Sequence, residues 1–147
     1  YVQFLEERLV ASEIFVKEGK MQEKHLFEYA VIRVVPRVER EEFLNVGIIL
    51  FCKKADYIKV VYAIDEERLE IFCSELDLEQ AYKNLEAFEK IALGAENCGP
   101  VARLDVPSRF RWLTAVRSSA IQTSRPHPGL TEDLEGTVAR LFEELVL

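Results

Sequence analysis

The sequence predicts an α+β fold: an antiparallel β-meander of three or more strands packed with helices on one face. Residues 27–52 contain two apolar runs with alternating side chains, separated by a short charged segment that includes Pro36. This pattern is typical of a β-hairpin. A third strand-like run, residues 57–64, follows a polar turn, and short connections favour pairing of sequential strands. Much of the remaining chain has apolar residues at helical spacing.

One face of the hairpin is predicted to be wholly apolar, and polar groups interrupt the other. Alternation places on the first face Ala30, Ile32, Val34, Leu44, Val46, Ile48, Leu50 and Cys52. Arg33, Asn45 and Gly47 fall on the second face, where a guanidinium and an amide need hydrogen-bond partners. Two interpretations stay open: Arg33 pairs with Glu42 or another acid and orders the sheet, or this face holds a polar pocket.

The helices are predicted from capping residues and apolar stripes. Asp65 suits the N-cap of a short helix, and residues 78–96 form the longest helix, with a stripe that we assign to the core. Ser108 is expected to cap a third helix, and Thr131 the last one. Residues 118–129 are small and polar and end in prolines, so we expect a short extended piece followed by an irregular loop.

Composition limits the class of protein. A chain of 147 residues, 49% hydrophobic and 31% charged, suits one globular domain. The net charge of -7 argues against a protein that holds nucleic acid through a basic surface. The cysteines, Cys52, Cys73 and Cys98, form neither a disulfide framework nor a zinc site. No metal or cofactor is therefore predicted. No apolar run approaches the roughly 20 residues of a membrane span, no signal-peptide pattern opens the chain, and we expect a cytoplasmic protein.

The N-terminal 20 residues are predicted to be a separate element. Residues 1–18 have an apolar stripe at helical spacing, Gly19 follows as a helix stop, and Met21 is the single methionine of the chain. We expect residues 1–20 to be an extension or the tail of an upstream protein, and residues 21–147 to form a single α+β domain. An integral first helix is the alternative. The stripe is expected to dock on the domain that follows, through Leu5, Leu9, Phe15 and Val16.

One segment concentrates basic and aromatic side chains. Arg109, Arg111 and Arg117 lie beside Phe110 and Trp112. Such a group can bind a phosphate or a nucleobase by charge and stacking. The alternative is a helix with a solvated basic face in an acidic protein.

The residues give little support for a catalytic centre. His25 lies in the charged approach to the first strand, and His127 lies between two prolines near Ser124. A hydrolase would need one of them as the base beside a nucleophile. The carboxylates occur in charged turns and helix starts, without the pattern of a metal nuclease. The six isolated glycines form no phosphate loop.

Three stretches resemble one bacterial family: YAVIRVVPRVEREEFLNVGIILF, RFRWLTAVRSSAIQTS and LTEDLEGTVARLFEELV. From about Glu23 to Val146 the chain is similar to the family called domain of unknown function 3037. The most characteristic residues are Arg33, Pro36, Glu42, Asn45, Val46, Gly47, Ser124, Pro126, Leu130 and Thr131. The resemblance implies no reaction but a partner, because such genes commonly lie beside one for a kinase similar to HipA, the toxin kinase of toxin–antitoxin pairs. Residues 1–18 resemble the C-terminal helix of such a kinase.

Two functional hypotheses result. The favoured one is a non-enzymatic adaptor or regulator that binds a HipA-like kinase through a helix groove, with Leu5, Leu9, Phe15 and Val16 at the interface. The other is an enzyme or ligand-binding domain for a phosphorylated or nucleotide substrate. It requires a polar pocket over the sheet that is lined by Arg33, Glu42, Asn45, Arg117 and Ser124.

Overall fold

A computed structural model describes residues 24–115 and 119–147. The strands are β1 (His25–Val34), β2 (Leu44–Cys52), β3 (Tyr57–Tyr62), β4 (Ile121–Thr123) and β5 (His127–Thr131). The helices are α1 (Glu66–Phe72), α2 (Leu78–Ala92), α3 (Val106–Leu113) and α4 (Leu134–Leu145), with short 3₁₀ turns at Val38–Arg40 and Val101–Arg103. The predicted N-terminal element, residues 1–20 with Leu5, Leu9, Phe15 and Val16, and the predicted site residue Arg117 lie outside the described residues.

The described strands form one antiparallel sheet. Its order is β3-β2-β1, and β4 and β5 both pair with the remaining edge of β1. The α+β prediction and the meander of the first three strands are therefore confirmed. Short connections explain the pairing of neighbours along the chain.

A β-bulge in β2 changes the predicted faces of the hairpin. Ile32 lies opposite Gly47, whereas Arg33 lies opposite Asn45. Val46 is thus an extra residue in β2, and the alternation of side chains is reset there. The bulge divides the face that was predicted to be wholly apolar. On one side of the sheet lie Leu44 and Val46, and on the other Ile48, Leu50 and Cys52.

Helices cover both faces of the sheet, which corrects the prediction of helices on one face. One core joins the sheet to α1, α2 and α3 and includes the fully enclosed Leu69, Leu85 and Phe110. The second core lies under α4, where Val138 and Phe142 are fully enclosed. Nearly every residue of β2 is buried, as expected of a strand that is covered on both sides.

β4 and β5 form one interrupted strand along β1. β4 ends opposite Ile32 and β5 begins opposite Tyr29, so the three residues 124–126 span two residues of β1. Ser124 bridges this gap: its N–H donates to the Val31 carbonyl at 2.8 Å, and its hydroxyl accepts the Val31 N–H at 2.9 Å. The segment expected to be an irregular loop is therefore largely an edge strand, where prolines are tolerated.

Aspartate side chains cap the described helices by accepting a backbone N–H from the first turn. They are Asp65, Asp77, Asp105 and Asp133. The cap predicted at Asp65 is confirmed. The caps predicted at Ser108 and Thr131 are wrong, because the Ser108 N–H itself donates to Asp105 and the Thr131 hydroxyl instead accepts the Asp133 N–H.

Candidate functional site

The described members of the predicted polar pocket lie in three separate settings. Arg33 and Asn45 are neighbours on the sheet face that α4 covers. Glu42 lines a cleft beside the connection between β1 and β2. Ser124 is 6% exposed, and its hydroxyl bonds to backbone groups of β1 and of its own strand. These four side chains therefore do not line one cavity, while the fifth, Arg117, lies outside the described residues.

Arg33 and Asn45 form a directly opposed pair on β1 and β2. The Arg33 guanidinium lies 3.9 Å from the centroid of the Phe43 ring. Asn45 Nδ2 donates to the Leu145 carbonyl, at the C-terminal end of α4, at 3.1 Å. Arg33 Nε and Asn45 Oδ1 are enclosed and have no hydrogen-bond partner within the described residues. Burial lowers the pKa of Arg33.

A solvent-open cleft of about 310 Å³ lies between the β1–β2 connection and the loop that follows α1. Its arginines are compensated within the cleft: Arg37 Nη2 pairs with Glu75 Oε2 at 3.2 Å, and Arg40 pairs with Glu42. One interpretation of the sequence was that Glu42 pairs with Arg33. In the structure Glu42 pairs with Arg40 instead. Because each arginine already faces a carboxylate, the cleft offers an anionic ligand little uncompensated charge.

Two arginines of the predicted phosphate or nucleobase site have structural partners. Arg109 Nε donates to the Ala92 carbonyl at 3.0 Å and Nη1 donates to the Leu104 carbonyl at 2.6 Å. Arg109 thereby satisfies a carbonyl at the C-terminal end of α2, which the helix itself leaves unpaired. Arg111 forms a two-pronged ion pair with Glu28 of β1. Both arginines therefore join elements of the fold.

An apolar groove lies between α2, the end of α3 and β4, at a position that the sequence did not predict. Its volume is about 250 Å³. The apolar residues that line it include Ala87, Phe88, Ile91, Leu113, Ala115 and Ile121. Trp112 also lines the groove and is 41% exposed. A partly exposed tryptophan beside an apolar depression is typical of a protein contact surface.

The remaining candidates for chemistry are spread over the structure. His25 begins β1, and the ring of His127 in β5 lies 5.3 Å from the ring of Tyr29. Among the described residues, no group of three or more His, Cys, Asp and Glu side chains is arranged to hold a metal ion. Within the same residues, no helix combines the length and the apolar character that crossing a membrane requires.

The fold and the groove define a class of protein: an α+β protein whose antiparallel sheet is covered by helices on both faces and whose described surface carries an apolar groove. Residues 29–146 match the family model described as Protein of unknown function (DUF3037). The chain belongs to this family, which confirms the resemblance seen in the sequence. The resemblance of residues 1–18 to a kinase helix stays a prediction. No curated protein and no solved structure matches the chain.

Proposed function

We propose that the protein is a non-enzymatic adaptor or regulator that acts in the cytoplasm and binds a HipA-like kinase, as one member of a toxin–antitoxin-like gene pair. The observation that carries this proposal is the apolar groove beside Trp112. Soluble proteins bury most large apolar side chains, and an apolar depression with an exposed aromatic rim is a common site for a partner.

The shape and lining of the groove suit an amphipathic helix. Helix-in-groove recognition inserts apolar side chains at helical spacing into such a depression, and about 250 Å³ accommodates one or two large side chains. A second depression shares Ala87 and Ile91 with the groove and is lined by Lys83 and Lys90. Both lysines are paired with glutamates of α2, Lys83 with Glu79 and Lys90 with Glu86, so a helix that continues along α2 would meet a polar surface of mixed charge.

The kinase is proposed as the partner because of the resemblance at the N-terminus of the chain. Residues 1–18 are similar to the C-terminal helix of a HipA-like kinase, and they combine an apolar stripe with four glutamates, Glu6, Glu7, Glu13 and Glu18. The apolar stripe matches the apolar lining of the groove.

The alternative, an enzyme or ligand-binding domain for a phosphorylated or nucleotide substrate, ranks second. It depends on polar side chains that share one cavity, but Glu42 is paired with Arg40 and Ser124 is enclosed in the sheet. The described arginines of the basic segment, Arg109 and Arg111, are likewise engaged by the fold.

The proposal is tested by co-purification of the full-length chain with a HipA-like kinase from the same genome. We expect a stable complex that the Ala87→Glu variant loses, because this substitution places a carboxylate in an apolar groove. Ala55→Glu makes the same change in the exposed turn between β2 and β3 and should bind normally. Absence of a complex with the unmodified chain would reject the kinase as partner. Equal losses in the two variants would reject the groove.

A further inference from the structure

A second contact site lies on the opposite face of the sheet from the groove. Arg33, Phe43 and Asn45, with the Leu145 carbonyl beside Asn45, form the group that we call the Arg33 site. We propose that this site binds a carboxylate presented by an acidic, partly apolar peptide segment of a protein partner. The inference rests on the proposed protein-binding function and adds a recognition chemistry to it.

The cation of the Arg33 site has no carboxylate partner among the described residues. Glu42, which lies in the connection between β1 and β2 next to Phe43, is paired with Arg40. Burial lowers the pKa of Arg33. In a chain with a net charge of -7, an arginine that faces no carboxylate within the described part of the chain attracts an anionic group.

The guanidinium of Arg33 is also pre-oriented. Its stacking on Phe43, 3.9 Å from the ring centroid, fixes the plane of the guanidinium, and a fixed plane loses less entropy when it binds a carboxylate with two parallel hydrogen bonds. Nε is enclosed, but the side chain as a whole is only partly buried, so a partner can reach the outer part of the guanidinium. Arg33 therefore offers an oriented charge rather than a flexible surface cation.

The hydrogen bonds of the site are incomplete. Arg33 Nε and Asn45 Oδ1 are enclosed without a hydrogen-bond partner within the described residues, and an enclosed polar atom in this state costs about 1–3 kcal/mol. In folded proteins nearly all enclosed polar atoms have a hydrogen-bond partner, so each exception needs an explanation. A movement of the two side chains on binding, which would give a partner access to these atoms, supplies that explanation.

The surroundings favour a carboxylate of a peptide over a phosphate. Asn45 bonds to the Leu145 carbonyl, so the C-terminal end of α4, which carries partial negative charge, lies beside the site. This end opposes a dianion more strongly than a monoanion. A peptide also brings backbone N–H donors, which phosphate lacks, and its apolar side chains can contact Phe43, which is 43% exposed.

The experiment is a titration of the isotope-labelled full-length chain observed at the Arg33 Nε–Hε resonance. The first peptide is acetyl-Leu-Glu-Leu-amide and its matched control is acetyl-Leu-Gln-Leu-amide. We expect a saturable shift with the glutamate peptide, with a dissociation constant on the order of a millimolar for one charge-assisted contact, and little shift with the glutamine peptide. Acetyl-Leu-Leu, with a free terminal carboxylate, shows whether a chain terminus serves as well as a side chain.

Variants separate recognition from a purely structural role. Arg33→Lys keeps the charge but loses the planar guanidinium, so its affinity for the glutamate peptide should fall several-fold. Binding to this variant is followed at the Asn45 side-chain resonances. Arg33→Met should abolish binding, and Arg68→Met, which removes a charge from the exposed surface of α1, should leave it unchanged. Equal shifts with both tripeptides, no shift at all, or tighter binding of inorganic phosphate would overturn the proposal. None of these outcomes depends on the kinase, so they are independent of the co-purification result.

Discussion

Replacement of Gly47 by alanine should destabilise the fold by about 2–4 kcal/mol, the sum of overpacking and weakened strand pairing. An added Cβ would lie 2.6 Å from the Val61 carbonyl oxygen, 2.9 Å from Tyr62 Cβ and 3.2 Å from Ile32 Cδ1. The first of these atoms belongs to the backbone of β3, and Gly47 is directly opposite Tyr62. β3 can therefore make room only by moving away from β2, which lengthens the hydrogen bonds between them.

Urea denaturation followed by circular dichroism measures this loss, and the midpoint should fall by roughly 1–2 M. Gly99→Ala is the matched control. Gly99 has φ +88° and no atom within 4 Å of an added Cβ, so it should lose only about 1 kcal/mol, from backbone strain. If Gly47→Ala is no more destabilising than Gly99→Ala, the register that brings Gly47 against β3 is wrong.

Two further predictions concern local hydrogen bonds. Ser124→Ala should cost about 1–3 kcal/mol and speed hydrogen exchange at the Val31 amide, which loses its acceptor; unchanged exchange would contradict the bridging role of Ser124. The side-chain and backbone hydrogen bonds from Ser108 lower the pKa of Asp105. The contribution of this cap to folding stability is therefore complete above about pH 4 and is lost as the pH falls through the lowered pKa. Asp105→Asn keeps a capping side chain that does not titrate, so its stability should fall less with decreasing pH than that of the unmodified chain. Stability curves of the two chains that run parallel as the pH falls would refute this.

The alternation of apolar residues predicted the strands of the hairpin but could not predict how their faces are arranged. Period-two counting is valid only while the ladder is regular, and the extra residue Val46 resets it. The signal for a bulge was the glycine next to it, but an isolated glycine in a strand has other causes. The continuous apolar character of β2 was the better indication that helices cover both faces.

β5 was missed because its residues carry the local signals of a loop. Pro126, Pro128 and Gly129 favour turns, but an edge strand tolerates proline, and Gly129 lies opposite Phe27, whose ring occupies the space that a side chain would take. The pairing of this segment with β1 joins residues about 100 positions apart in sequence. Local propensity contains no information about such a contact.

The candidate site shows the same limit. Sequence alternation brought Arg33 and Asn45 to one face, and they are neighbours in the structure. It could not show that Glu42 is paired with Arg40, that Arg111 is paired with Glu28, or that Ser124 completes a strand, because these contacts depend on tertiary placement. The position of the groove was not predicted either, since the stripe of α2 suggested only a core face.

The affinity of the kinase for two single variants tests the protein-binding role of the groove most directly. Trp112→Ala removes the aromatic side chain at the groove. Tyr82→Ala is the control, because Tyr82 is similarly exposed, at 38% compared with 41% for Trp112, but lies outside the lining of the groove and donates its hydroxyl to Glu66 of α1. If Trp112 is an interface anchor, its loss should raise the dissociation constant for the HipA-like kinase at least about tenfold, and the loss of Tyr82 should change it by less than about twofold. Equal dissociation constants for the two variants would contradict the groove as the binding site.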